Sequence, residues 1–150
     1  MLQNLSASEL IALSKQSNET LWVNNRLFYI YEGQSPLYVD NEHLLVGFVK
    51  GICLLNLQTG MYVWCRPEID ISSIAVDLES QIGYAIRKDL ALLIIDIQTG
   101  DIIEQTRFLS SQTNTEQISA VSSIAFSKQV LVISFADSGQ TFGLQFENIR

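Results

Sequence analysis

The sequence predicts an all-β domain: a partial β-propeller of about three to three and a half four-stranded antiparallel blades, with a short helix at its N-terminus. Three observations carry this. Short apolar segments rich in Ile and Val are broken every ten residues or so by Asp, Ser, Gly or Lys, a spacing that suits successive strands. Leu54-Leu55-Asn56-Leu57-Gln58-Thr59-Gly60 recurs as Ile94-Ile95-Asp96-Ile97-Gln98-Thr99-Gly100, a shift of 40 residues. Ser72-Ser73-Ile74-Ala75 recurs as Ser122-Ser123-Ile124-Ala125, a shift of 50, and the extra residues fall in the polar stretch Ser110 to Ser119. A period near 40 with four strands per unit is the signature of propeller blades.

Taken in order, residues 1–36 form an N-terminal helix and hairpin segment. Ser6-Ala7-Ser8-Glu9 reads as a capping box, with Leu10, Ile11 and Leu13 on a helix that runs to about Gln16. A strand over Leu10 to Ser14 is the rival reading. Leu21 to Val23 and Leu27 to Tyr31 flank Asn24-Asn25, two residues that tolerate the left-handed backbone of a type I′ hairpin. Residues 37–150 hold the repeats, with blades over about 37–67, 70–108 and 120–150. The first has strands at Leu37–Asp40, Leu44–Val49, Ile52–Leu57 and Met61–Cys65, with Lys50-Gly51 turning its middle hairpin. In the second, Leu90 to Ile95 is apolar on both faces, so it reads as an inner strand, and Asp101 to Arg107 mixes polarity like an outer one. The third has strands at Val121–Ser127, Val130–Phe135 and Thr141–Phe146, and no fourth strand follows. Each Thr-Gly turn uses glycine for its positive φ.

At "apolar strand, Asp or Asn, apolar, x, Thr-Gly" the chain resembles the WD-repeat and quinoprotein-like propeller repeats, over most of its length after Pro36. The Gly-His and Trp-Asp pairs of WD repeats are missing; Leu55-Asn56 and Ile95-Asp96 stand where the latter would be. The tryptophan-docking motifs of quinoproteins are not found either, so the resemblance implies the fold and no subfamily. Leu5 to Trp22 resembles the tail of an F-box, without its opening Leu-Pro segment and first helix. That likeness implies a substrate receptor of a ubiquitin ligase as an alternative function.

Composition narrows the function classes. The chain is 47% apolar and 17% charged, which allows a packed core. No apolar run approaches the ~18 residues of a membrane span, and no basic segment precedes an apolar one as in a signal peptide. An intracellular location, cytoplasmic or nuclear, is expected. The net charge is −7 and the nine bases are scattered, which argues against a phosphate-neutralising face, so neither nucleic acid nor membrane is expected as a partner.

No convergent set of titratable groups is legible, so an enzyme is not expected, nor a cofactor or metal. His43, the one histidine, reads as a surface residue. Asp40, Asp77 and Asp96 read as turn caps. A register set by the Gln58-Thr59-Gly60 turn places Cys53 opposite Cys65; in a reducing compartment the pair is expected as two free thiols. Aromatic and basic residues that a partner would use are Trp22, Tyr62, Trp64, Arg87, Lys88, Phe142 and Phe146. For the tryptophans, packing between blades is the competing role.

Closed propellers have typically four to eight blades. Fewer blades leave edges and apolar flanks to be covered. The expected function is a non-enzymatic protein-interaction module, a scaffold subunit whose propeller is completed by a second copy of itself or by a partner protein, unless the chain is a fragment. A small self-assembling carbohydrate-binding propeller is a further alternative.

Overall fold

The computed structural model describes residues 2–6, 9–25, 36–48, 51–67, 71–87, 89–107, 121–135 and 141–145. The chain divides into two compact units, Met1–Asp70 and Ile71–Arg150. The described regular structure is entirely β, in antiparallel sheets whose strands pair in chain order. No described helix is long and apolar enough to cross a membrane.

The first unit holds two sheets. One is β1 (Leu2–Ser6), β2 (Glu9–Leu13) and β3 (Thr20–Asn24). The other is β4 (Leu37–Tyr38), β5 (His43–Phe48), β6 (Gly51–Asn56) and β7 (Tyr62–Pro67). Leu10, Ala12 and Trp22 share one core with Leu44, Val46, Cys53 and Leu55.

Residues 9–13 correct the expected helix. Ser6 and Glu9, read as a capping box, are paired opposite each other between β1 and β2. The physical reason lies in the next three residues. Leu10, Ile11 and Ala12 are all buried, so consecutive residues bury opposite faces, which a middle strand does and a surface helix cannot. The F-box likeness falls with the helix, because Leu10 to Trp22 is strand, turn and strand. The second half of the expected Asn24-Asn25 hairpin lies outside the described residues; Asn24 itself ends β3, opposite Leu10.

The Thr-Gly turns adopt the expected backbone, with φ +68° at Gly60 and +74° at Gly100. A third copy of this turn stands at Ser14 to Asn18, without the Thr-Gly letters. Ser14, Asn56 and Asp96 each donate their amide to the carbonyl five residues on, at 2.8, 2.8 and 2.9 Å. Each accepts the amide four residues on, from Asn18, Gly60 and Gly100, and Asn18 has the matching φ of +56°. Each side chain caps the amide three residues on: Ser17, Thr59 and Thr99. A shift in pairing register precedes every one of these turns. Ser14-x-x-Ser17-Asn18 is therefore the same turn as Asn56-x-x-Thr59-Gly60.

Register also decides the cysteines. The turn pairs Leu55 with Tyr62, and the extra residue in β7 brings Cys53 opposite Cys65. Their Cα atoms are 4.1 Å apart and the two are joined in a disulfide, which corrects the expectation of free thiols. Cys53 is fully buried in the core shared with β2 and β3.

The second unit holds β8 (Ile71–Asp77), β9 (Ile82–Arg87), β10 (Ala91–Asp96) and β11 (Ile102–Arg107), then the three-stranded sheet β12 (Val121–Ser127), β13 (Val130–Phe135) and β14 (Thr141–Gln145). Ala75, Tyr84, Ile86, Leu92 and Ile94 pack against Ile124, Leu131, Ile133 and Phe135. Ser73 Oγ accepts the Ile124 amide at 3.1 Å, which ties β8 to β12. Tyr84 stacks on Phe126, and burial, with the nearby Asp77 carboxylate, pushes its hydroxyl up to about 12.

Two outcomes are expected. Replacing the disulfide with Cys53→Ala/Cys65→Ala lowers stability by about 3 kcal/mol, the chain-entropy value for so short a loop, in denaturant titrations. It also abolishes the effect of reductant on the wild-type midpoint. Tyr84 is protonated in the native state at pH values where an unfolded tyrosine ionises. Stability should therefore be intact below pH ~10 and fall between about 10 and 12, and Tyr84→Phe should flatten that fall.

Candidate interaction surface

The first unit carries a clasp between β3 and the β6–β7 turn. Alternation along β3 turns Trp22 and Asn24 inward and leaves Leu21 and Val23 exposed. Trp22 Nε1 donates to the carbonyl of Leu57 at 2.7 Å. The indole lies over Gly60, where a Cβ would come within 2.5 Å of the ring carbons. Asn24 Nδ2 donates to the Gly60 carbonyl at 2.8 Å, and the Tyr62 hydroxyl reaches Asn24 Oδ1 at 3.5 Å. The turn's carbonyls, unused within its own hairpin, are thus satisfied by side chains of the neighbouring sheet.

Open space flanks this clasp. A cleft of about 320 Å³ is lined by Val23, Asn25, Thr59, Met61 and Tyr62. Val23 is 51% exposed and Met61 69%, large values for apolar side chains. A second hollow of about 400 Å³ lies where Leu21, Tyr38 and Leu57 meet Lys15 and Gln16.

The residues singled out by sequence fall in different places. Trp22 is 9% exposed and occupied in the clasp, so its ring is not offered to a partner. Tyr62 is half-buried and lines the first cleft. Trp64 is half-buried in β7, at the same distance from its Thr-Gly turn as Trp22 is from Ser17-Asn18. The docked tryptophan, Trp22, lies on the spacing Ser-Asn-x-x-x-Trp after its own turn. Arg87 is ion-paired with Asp89 at 2.9 Å. Lys88 and Phe146 lie outside the described residues, and Phe142 is placed only by its register opposite Ile133.

The carboxylates behave as turn caps. Asp40 accepts the Glu42 amide at 2.7 Å and holds His43 Nδ1 at 2.9 Å; that His43 hydrogen bond draws the Asp40 carboxyl below its ordinary value. Asp77 accepts from the Glu79 amide and the Ser80 hydroxyl, and Asp96 from the Thr99 amide. Among the described residues, no three His, Cys, Asp or Glu side chains gather as a metal site would require.

No family model matches the chain, and no curated protein matches it in sequence. Solved structures do match. The dihydro-heme d1 dehydrogenase NirN superposes with a TM-score of 0.80 at 14% identity, over 98% of this chain and 32% of its own. The computationally designed protein Ika4 gives 0.73 at 13%, over 97% and 84%. BamB from Moraxella catarrhalis gives 0.60 at 17%, over 96% and 48%, and Sqt1 from Saccharomyces cerevisiae 0.66 at 13%, over 93% and 42%. The chain thus spans less than half of each of these three natural proteins. At such identities the likeness shows the fold alone: a partial β-propeller, whose described strands form two four-stranded and two three-stranded sheets.

Substitution separates the two requirements of the clasp. Trp22→Ala should cost about 3–5 kcal/mol in denaturant titrations, as large buried aromatics do. Gly60→Ala should also destabilise, through the forbidden Cβ contact and the positive φ together. Because both changes act on one contact, the double variant should lose less than the two single losses combined.

Proposed function

We propose that this chain is a non-enzymatic protein-interaction module, a scaffold subunit that binds a partner protein in the cleft beside the Trp22 clasp. The single observation that carries the reading is the pairing of exposed apolar side chains, Val23 and Met61, with the polar residue Asn25 along one cleft. An extended peptide presents the same mixture: apolar side chains beside backbone donors and acceptors. Asn25 would meet its backbone, and Val23, Met61 and Tyr62 its apolar side chains. The rigid clasp beneath, with a buried tryptophan and a disulfide-linked strand pair, keeps the cleft preformed and lowers the ordering cost of binding. A partner chemistry of this kind needs no cofactor.

The compartment is open to the same test material. Disulfides persist in oxidising compartments, so the Cys53–Cys65 bond favours one of these over the reducing interior expected from sequence. Thiol counting on protein taken from its native source decides between them.

The binding experiment compares the full chain with Val23→Lys/Met61→Lys. Both side chains are exposed, so melting behaviour should be unchanged. A partner that co-purifies with the wild type and binds it in a purified titration should bind the double variant at least roughly tenfold more weakly, as loss of central apolar contacts implies. Equal binding by both proteins would remove the cleft from the reading.

A further inference from the structure

The Cys53–Cys65 bond stands at a position that two sister hairpins fill without one. Counted from the matching turns, the same pair is Ile11 opposite Val23 between β2 and β3, and Leu93 opposite Gln105 between β10 and β11. All three hairpins share the turn and the register shift beside it. Neither the turn nor the shift therefore requires a covalent link. The sulfurs nevertheless lie among the residues of the clasp. Cys53 is fully buried in one core with Leu10, Ala12 and Trp22, and Tyr62 and Cys65 pack against that core. Tyr62 and Cys65 are three residues apart and would face opposite ways in a regular strand; the register shift between them turns both inward. Cys65 is only half-buried, so a thiol from solution reaches the bond at that sulfur and not at Cys53.

We propose that this bond is a reversible thiol–disulfide switch of the Trp22 clasp: oxidised, it holds the clasp closed; reduced, it lets Trp22 and Tyr62 shift and opens the cleft beside them. The reductant is a small dithiol. Its thiolate attacks Cys65 Sγ, the S–S bond breaks, and Cys53 leaves with the bonding pair and takes up a proton, because the core offers a thiolate no water. The second thiol of the reductant then displaces Cys65, which is protonated in turn. The dithiol ends as a disulfide and the protein as two thiols, so two electrons and two protons have passed to the chain. Bonded sulfurs lie about 2 Å apart, whereas unbonded atoms need ~3.5–4 Å. A close-packed interior passes such a difference to its neighbours, here Trp22 and Tyr62. The Tyr62 hydroxyl reaches Asn24, which holds the Gly60 carbonyl, so a shift at Cys65 acts on the clasp and on one wall of the cleft together. That the cleft receives a partner is the preceding reading, and only the last arm of the test rests on it.

The test uses the full chain carrying Trp64→Phe, which leaves Trp22 as its sole tryptophan and so as a reporter of the clasp. A small dithiol should raise the free thiols from none to two per chain and leave the far-ultraviolet circular dichroism unchanged. It should also shift the Trp22 emission to the red and speed its quenching by succinimide roughly twofold or more, as local opening exposes the ring. Reoxidation should reverse each change. Adding Cys65→Ala should make the emission indifferent to the dithiol. Emission wavelength and quencher access are the readouts, because a disulfide dims a nearby indole directly. A bond that resists the dithiol in the folded chain, a loss of β structure on reduction, or a Trp22 signal unchanged in both readouts overturns the proposal. In the last arm, a partner that co-purifies with the oxidised wild type should bind the reduced chain at least roughly tenfold more weakly. A Trp22 response with no partner bound in either state upholds the switch and removes the cleft reading. A partner bound equally in both states, yet weakened by Val23→Lys/Met61→Lys, upholds the cleft and removes the switch's hold over it.

Discussion

The packing of the first unit depends on an absence: the missing side chain at position 60. Gly60 takes a backbone conformation that L-residues rarely adopt, and it leaves open the space that the Trp22 ring fills. Either requirement alone would favour glycine; together they leave no other residue. The polar contacts then follow from the same geometry. With the indole seated on the turn, its N–H reaches the Leu57 carbonyl, and Asn24, two residues along the same strand face, reaches the Gly60 carbonyl. A hydrophobic contact is non-directional, but these hydrogen bonds are not, and they fix how β3 lies across the hairpin.

A second constraint distinguishes the sheets from one another. In β6 and β10 consecutive residues are buried, so both faces of these strands are covered, and their sequences are unbroken apolar runs. In β13 burial alternates, with Leu131, Ile133 and Phe135 inside and Val132 exposed. The neighbouring strands follow that alternation with Ser123, Ala125, Thr141 and Gly143 on the outer side. The outer face of this sheet therefore carries small side chains and hydroxyls beside the exposed Val132.

Much of the fold was legible because strand period and turn chemistry are local properties. The repeat at Asn56 and Asp96 was visible because both copies keep Thr-Gly, and glycine at φ near +70° is almost a requirement of that turn. The copy at Ser14 was not, since serine can cap in place of Asn or Asp, and Asn18 can adopt the left-handed backbone in place of glycine. The pattern of the turn is preserved in hydrogen bonds while its letters differ. Less of the candidate site was legible. The aromatics could be found by eye, but whether Trp22 or Tyr62 faced a partner or a neighbouring sheet turned on packing.

By itself, the sequence determined the strands after Pro36, the forty-residue repeat, the left-handed glycines and the opposition of Cys53 and Cys65, all consequences of backbone preference and period. The tertiary structure decided what those leave degenerate. It made Leu10 to Ala12 a strand, because a short apolar run can serve a helix or a doubly covered strand and only its neighbours choose. It placed Trp22 in a clasp and Val23 in a cleft, because alternation says that two adjacent residues face opposite ways and says nothing of which way is inward.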